Sequence, residues 1–150
     1  MKKEINHTLF FTQSPQEVWE YLTKPELMEQ WLMKNDFKPV VGYQFQFNTK
    51  PIPQLDCDGT MYCTVLEIVP FKKLTYSWKS GPGEGNIKID SIVEWVLNPK
   101  DNGTELVLKH SGFSDKENLH MFEGLNGGWS QNMKKVATLL NDKQHGTAKA

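Results

Sequence analysis

The chain is 150 residues long, 38% hydrophobic and 23% charged, with a formal net charge of −1. That length fits one domain with a core of its own, and the near-zero charge gives no global field to draw nucleic acid or an anionic membrane. The cationic side chains are all lysine. The chain contains no arginine, so it lacks the bidentate guanidinium fork suited to phosphate, carboxylate and base edges, which argues against nucleic-acid binding and phosphoryl transfer.

The opening residues, MKKEINHTLFF, carry positive charge but no long apolar run and no small-residue cleavage site, so they do not read as a signal peptide. No apolar run approaches the ~18 residues of a membrane span, and a cytoplasmic location is expected. Cys57 and Cys63 lie six positions apart around a turn-prone Asp58-Gly59 and would not face each other across it. No disulfide is expected.

Residues 4–12 alternate as a first strand, with Ile5, His7, Leu9 and Phe11 on one side. Phe10 falls on the other side and leaves the inner face undecided. Ser14-Pro15-Gln16-Glu17 is a helix start: Ser14 can cap, Pro15 suits the first helical position and Glu17 completes a capping box. Val18, Trp19 and Leu22 give that helix an apolar face. A second short helix restarts at Thr23-Lys24-Pro25-Glu26, with Leu27, Met28, Trp31 and Leu32 apolar.

Strands then follow at short intervals. Tyr43, Phe45 and Phe47 alternate with Gln44 and Gln46. Residues 50–59 hold two prolines and an Asp-Gly and predict a loop or an edge. Thr60–Val69 is a longer strand ending at Pro70, and Leu74, Tyr76 and Trp78 alternate in the next. After a Ser80–Gly85 turn, Ile89, Ser91, Val93, Trp95 and Leu97 alternate. After an Asn98–Gly103 turn, Leu106, Leu108 and His110 do the same. Connections this short imply antiparallel neighbours.

The last element is an amphipathic helix over Glu123–Asn141. Leu125, Gly128, Trp129, Met133, Val136, Leu139 and Leu140 share one face at three-to-four-residue spacing. Gly124, Gly127 and Gly128 each cost that helix about 1 kcal/mol relative to alanine. Bare backbone is therefore needed there, for a close neighbour or for a space kept open beside Trp129. Val136, Leu139 and Leu140 are expected to close the core, and Trp129, Asn132 and Met133 to face a cavity. The polar stretch 143–150 reads as a flexible tail on a single domain of residues 1–142. The sum is an α+β fold: about six antiparallel strands curved around a long C-terminal helix, with two short helices after the first strand.

This order, with Ser14-Pro15 through Val18-Trp19, Thr23 through Trp31, Leu66-Glu67-Ile68-Val69-Pro70 before Leu74 to Trp78, Leu106 to His110-Ser111-Gly112-Phe113, and Gly128-Trp129, resembles the helix-grip fold of the START-like (Bet v 1-like, SRPBCC) superfamily. Within it the chain is most similar to the branch named for homology to the activator of heat-shock protein 90 ATPase. The resemblance spans nearly the whole chain. It implies a cavity between sheet and final helix that holds an apolar, aromatic, polyketide-like or lipid-like molecule. It also implies, as alternatives, contact with a chaperone ATPase in a stress-response setting, or a cyclase- or hydrolase-like enzyme. The chain lacks the arginine that some cyclases lean on, and it is expected to lack the additional domain of the eukaryotic co-chaperone.

The residues expected to line the ligand site are Trp31, Phe45, Phe47, Tyr76, Trp78, Trp95, His110, Phe113, Gly128, Trp129, Asn132 and Met133, with Phe37 in the same inward aromatic set. Aromatic side chains with a few polar groups among them are the usual lining of a small-molecule site, but each alone also fits plain core packing. His110 would meet a ligand or act as a base with a cavity water; alternatively, local hydrogen bonds satisfy it. Asn132 would offer an amide to a ligand or reach water from the helix flank. Glu67 and Glu94 would form an acid/base pair only if both faced inward, and the alternation puts them outside. Cys57, Cys63, His7 and His110 show no metal-ligand spacing. Gly81, Gly83 and Gly85 precede a strand, which is the wrong context for a phosphate loop, and no nucleophile elbow is present. No cofactor, no metal and no catalytic residue is predicted.

Overall fold

The computed structural model describes residues 3–52, 57–83, 85, 87, 89–113 and 119–149. Along the chain run β1 (Lys3–Phe11), α1 (Pro15–Thr23), α2 (Pro25–Trp31), β2 (Lys34–Asn35), β3 (Gln44–Asn48), β4 (Thr60–Val69), β5 (Lys73–Ser80), β6 (Ile89–Lys100), β7 (Gly103–Phe113) and α3 (Leu119–Lys149). The strands form one seven-stranded antiparallel sheet in the order β1-β7-β6-β5-β4-β3-β2. The sheet curls around α3, the helix-grip arrangement that the sequence predicts.

In β1 the inner face is that of Ile5 and Phe11, both buried, while Phe10 is exposed, which settles the face the alternation left open. The α1 start forms as a full capping box: Ser14 Oγ accepts from Glu17 N at 3.3 Å, and Ser14 N donates to Glu17 Oε1 at 3.3 Å. Lys24 is both the C-cap of α1 and the N-cap of α2, so the helices meet without a linker. The Trp31 indole N–H donates to the Tyr21 carbonyl at 2.7 Å and fixes their angle.

Three boundaries differ from the sequence reading. The two-residue β2 pairs with β3, a strand too short to show periodicity. The Asn98–Gly103 turn shrinks to Asp101-Asn102, both at positive φ, the backbone of a tight hairpin turn. Strand β6 therefore runs through Pro99. It can, because the β5 partner ends at the Lys73↔Val96 pair, so the missing proline N–H leaves no ladder bond unmade on that side. Helix α3 extends beyond Glu123–Asn141 at both ends, to Leu119 and Lys149.

Leu125, Trp129, Met133, Val136 and Leu140 are the buried stripe of α3, whereas Leu139 is only partly buried. Leu139 thus does not close the core as expected; it sits on the shoulder of the helix, one residue short of the inward position taken by Leu140. Gln13 clamps the helix nearby, its side-chain amide donating to Asn141 Oδ1 at 3.0 Å.

Burial sets the expected ranking of two neighbouring truncations. Leu140→Ala should lower unfolding free energy by roughly 2–4 kcal/mol, the cost of a cavity in a packed core, and Leu139→Ala by less than half as much. Denaturant unfolding of both variants, followed by circular dichroism, measures the difference.

Candidate functional site

The inner faces of the central strands carry the aromatic set, and all of it is buried: Trp31, Phe37, Phe45, Phe47, Tyr76, Trp78, Trp95, Phe113 and Trp129. These rings pack mostly on each other. Phe37 meets Phe45 at 5.0 Å between centroids, Phe45 meets Tyr76 at 5.4 Å, and Phe47 meets Trp78 at 5.4 Å. Trp78 and Trp129 lie 5.3 Å apart, Trp95 and Trp129 5.5 Å, and Trp31 and Trp95 5.8 Å. Edge-on and tilted pairs of this kind add stability beyond the area they bury. The Trp95 indole donates to the Tyr76 hydroxyl at 3.0 Å, and burial raises the Tyr76 pKa, so the phenol stays neutral.

His110, on β7, is fully buried between Trp78, Phe113 and Trp129. Its hydrogen bonds form a directed chain. The Trp129 indole N–H donates to His110 Nδ1 at 2.9 Å. Ser91 Oγ donates its proton to the Trp78 carbonyl at 2.9 Å, so at 2.7 Å from His110 Nε2 it accepts the ring proton. The imidazole is thereby fixed as the neutral Nε2–H tautomer, and desolvation pushes its pKa down to about 3. Both nitrogens are engaged, leaving no lone pair to take a proton from water. Of the roles open to His110, the structure shows the satisfied one.

Where α3 lifts off the sheet there is an open pocket of about 230 Å³, lined by Leu32, Met33, Thr49, Ile52, Met61, Trp78, Gly124, Leu125, Gly128, Trp129 and Asn132. It lies between the glycine-bearing turn of α3, the end of α2 and the loop before β4. A Cβ placed on Gly127 or Gly128 would meet nothing within 4 Å, so the helix glycines border open space rather than a close neighbour. The loop is drawn in by Gly59, whose φ of +100° and close approach to the Thr49 carbonyl leave no room for a side chain. Thr49 N in turn donates to the Gly59 carbonyl at 2.8 Å. Among the described residues no charged side chain lines the pocket, and the Asn132 side chain makes no hydrogen bond.

Of the residues the sequence singles out, Trp78, Gly128, Trp129 and Asn132 meet at this pocket. Trp31, Phe45, Phe47, Tyr76, Trp95, His110 and Phe113 stand behind it in the packed interior, and Met133 is buried on the β1 side of α3, beside Leu9. Leu32, Met33, Thr49, Ile52, Met61 and Leu125 line the pocket without having been singled out. No local pattern marks them, because they are ordinary apolar or loop residues brought together by the sheet's curl. Ser91 was legible in principle, as the polar member of an inward row with Ile89, Val93 and Trp95. Glu67 and Glu94 lie on the outer face, where Lys73 Nζ reaches them at 3.0 and 3.8 Å. The Glu67 hydrogen bond, with the Glu94 charge nearby, raises the Lys73 pKa. Cys57 and Cys63 are buried thiols not joined in a disulfide, and residues 53–56 of the loop lie outside the described residues.

The family model described as Activator of Hsp90 ATPase homolog 1-like protein matches residues 12–141. Among solved structures, protein MLL2253 from Mesorhizobium loti is 32% identical, with a TM-score of 0.80 over 93% of this chain and 98% of that one. DynU16, a protein in the dynemicin biosynthetic locus, is 19% identical with a TM-score of 0.73, over 92% of this chain and 47% of that one. The Aha1 dimer from Colwellia psychrerythraea is 18% identical with a TM-score of 0.73, over 90% and 93%. No functionally curated protein matches the chain.

Because His110 is neutral when folded and titrates freely when unfolded, stability should depend on pH with a defined sign. Its folded pKa lies below the unfolded value of about 6.5, so acid protonates the unfolded chain first. The contribution is fully present above about pH 6.5 and declines as pH falls toward 3. Unfolding free energies measured between about pH 7 and pH 5 should fall with acid in the wild type and fall less steeply in His110→Gln.

Proposed function

The chain belongs to the Activator of Hsp90 ATPase homolog 1-like family, and from that premise we propose that it binds a small hydrophobic molecule in the pocket between α3 and the loop before β4. One observation carries the reading: a pocket of about 230 Å³ beside a helix whose glycines leave its wall bare. The two indoles of Trp78 and Trp129 supply rigid apolar surface, and the absence of charge among the described wall residues suits an apolar guest. Leu125, Met33 and Met61 complete the apolar lining, the two methionines being adaptable gap-fillers. With His110 held neutral and doubly bonded, the protein acts as a binder and not as an acid–base catalyst at this residue. No helix among the described residues is long and apolar enough to cross a membrane. The two buried cysteines, not joined in a disulfide, support a reducing, cytoplasmic setting.

A second reading, contact with a chaperone ATPase, is supported by the family description. It would use the outer surface, where Val40, Val41 and Leu66 are exposed and the Gly42 N–H donates to the Val65 carbonyl at 2.8 Å, bringing their segments together. The two readings separate on one variant, since filling the pocket would leave an ATPase contact untouched.

The variant is Gly128→Leu. Its side chain grows into open space, so the fold should keep or slightly raise its melting temperature, while affinity for a bound apolar ligand falls at least about tenfold. Gly127→Ala, exposed and outside the lining, should raise stability by roughly 0.5–1 kcal/mol without touching affinity. Titration of flavonoid-like, polyketide-like and lipid ligands against the amide shifts of Leu125 and Gly128, with thermal melts of both variants, measures the pair of effects. Shifts confined to the outer face of the sheet would remove the pocket reading.

A further inference from the structure

We propose that the pocket selects a small, neutral aromatic molecule of one or two rings carrying one hydrogen-bonding group, and that Asn132 is the residue that selects for that group. The inference rests on the binding role proposed for the pocket and names what it would hold.

Size sets the first limit. An apolar cavity of about 150 Å³ takes up benzene, and drug-sized ligands fill pockets from about 300 Å³ upward. At about 230 Å³ the pocket falls between them, which fits a single or fused double ring. It cannot lengthen inward. Its floor is Trp78 and Trp129, tilted at 59° to each other. Behind them Trp95 and His110 bear on Trp129, and Phe47 and His110 bear on Trp78. Seating a long alkyl chain would mean breaking these ring pairs and the Trp129–His110 hydrogen bond together.

Charge sets the second. Among the described residues the lining has no lysine, histidine, aspartate or glutamate, and the chain has no arginine. A carboxylate, phosphate or ammonium entering here would be desolvated without a counter-charge, which disfavours ionised guests. Shape and polarity set the rest. Two indole faces favour a flat guest over a flexible one. Among the described lining residues on α3, Asn132 is the one with a polar side chain free to face the guest, the Trp129 indole N–H being held by His110; it stands one helical turn beyond Gly128, half-buried, and its side chain makes no hydrogen bond among the described residues. An amide in that position can both donate and accept, so it can meet a hydroxyl or a ring N–H on the guest.

The test compares four probes by amide-shift titration at Leu125, Gly128 and Asn132: naphthalene, 2-naphthol, 2-naphthoate and 1-decanol. The last has the same number of carbons as the naphthyl ring but no plane. The expected order puts 2-naphthol first, with 2-naphthoate and 1-decanol weaker by at least about tenfold. Asn132→Leu should weaken 2-naphthol about tenfold and naphthalene less than about twofold, while Asn132→Gln restores most of the 2-naphthol affinity. Equal affinity for 2-naphthoate or 1-decanol would overturn the proposal, as would an Asn132→Leu effect of the same size on naphthalene and 2-naphthol. If 1-decanol binds tightly and Gly128→Leu abolishes it, the pocket remains a binding site and only the aromatic selectivity falls. If none of the four probes moves these amides, the binding role of the pocket falls too.

Discussion

The structure depends on a buried, neutral imidazole. Through Trp129, His110 and Ser91 a single line of hydrogen bonds runs from α3 across β7 and β6 to the Trp78 carbonyl on β5. An amphipathic helix lying on an apolar face has no strong preference for one rotation or translation, because dispersion and hydrophobic burial are non-directional. Hydrogen bonds are directional. This chain therefore sets which way Trp129 points, and with it the position of the helix turn that bears Gly124, Gly127 and Gly128. Desolvation keeps His110 uncharged, and each of its nitrogens has its partner, so the buried polar group is satisfied rather than a liability.

The same anchor explains why the aromatic interior is mostly full. With Trp129 held by His110, Trp78 and Trp95 can close on it from two strands, and Phe45, Phe47 and Tyr76 fill the sheet beyond. An aromatic-lined inner face is compatible with either an occupied cavity or a filled core. Here the filled core takes the deep end of the grip, and the open space is confined to the shallow end, where the loop before β4 faces the helix glycines.

How much of this was legible beforehand divides along physical lines. The fold was, because its signals are local and redundant: the Ser14–Glu17 capping box, the Pro25 restart, and the inward rows of β5, β6 and β7 each depend on a few neighbouring residues. Strand ends were less so. Whether Pro99 terminates β6 depends on where β5 stops beside it, a fact about a different segment. Leu139 and Leu140 both sit on the periodic stripe, and one-residue rotation decides which is buried. The pocket was legible only in part. Trp78, Trp129, Gly128 and Asn132 could be singled out by type and spacing. Leu32, Met33, Thr49 and Ile52 come from a helix end and a loop whose approach to α3 is a tertiary fact. His110 was visible as an inward polar residue, but its role turned on Ser91, one strand away, and on the tautomer that Ser91 and Trp129 impose together.

The site is thus made largely by omission. Its α3 wall is thinned at Gly124 and Gly128, and among the described residues its lining is uncharged and its free polar side chain on that helix is that of Asn132. Omission has an energetic signature even though it has no motif. Beyond Trp129 the helix is held by Met133, Val136, Leu140 and the Gln13–Asn141 clamp. Before it, the glycine segment has Leu125 inside and, on the β1 side, the His7 Nε2 donation to the Asn126 carbonyl at 3.0 Å. One turn earlier Phe122 meets Phe113 at 5.5 Å between ring centroids, so the turn that borders the pocket combines weak helix propensity with anchors on either side of it. A fold shared across distant relatives and a pocket set by a handful of unremarkable side chains are two consequences of that division: the packed end of the grip specifies the structure, and the bare end leaves the open space.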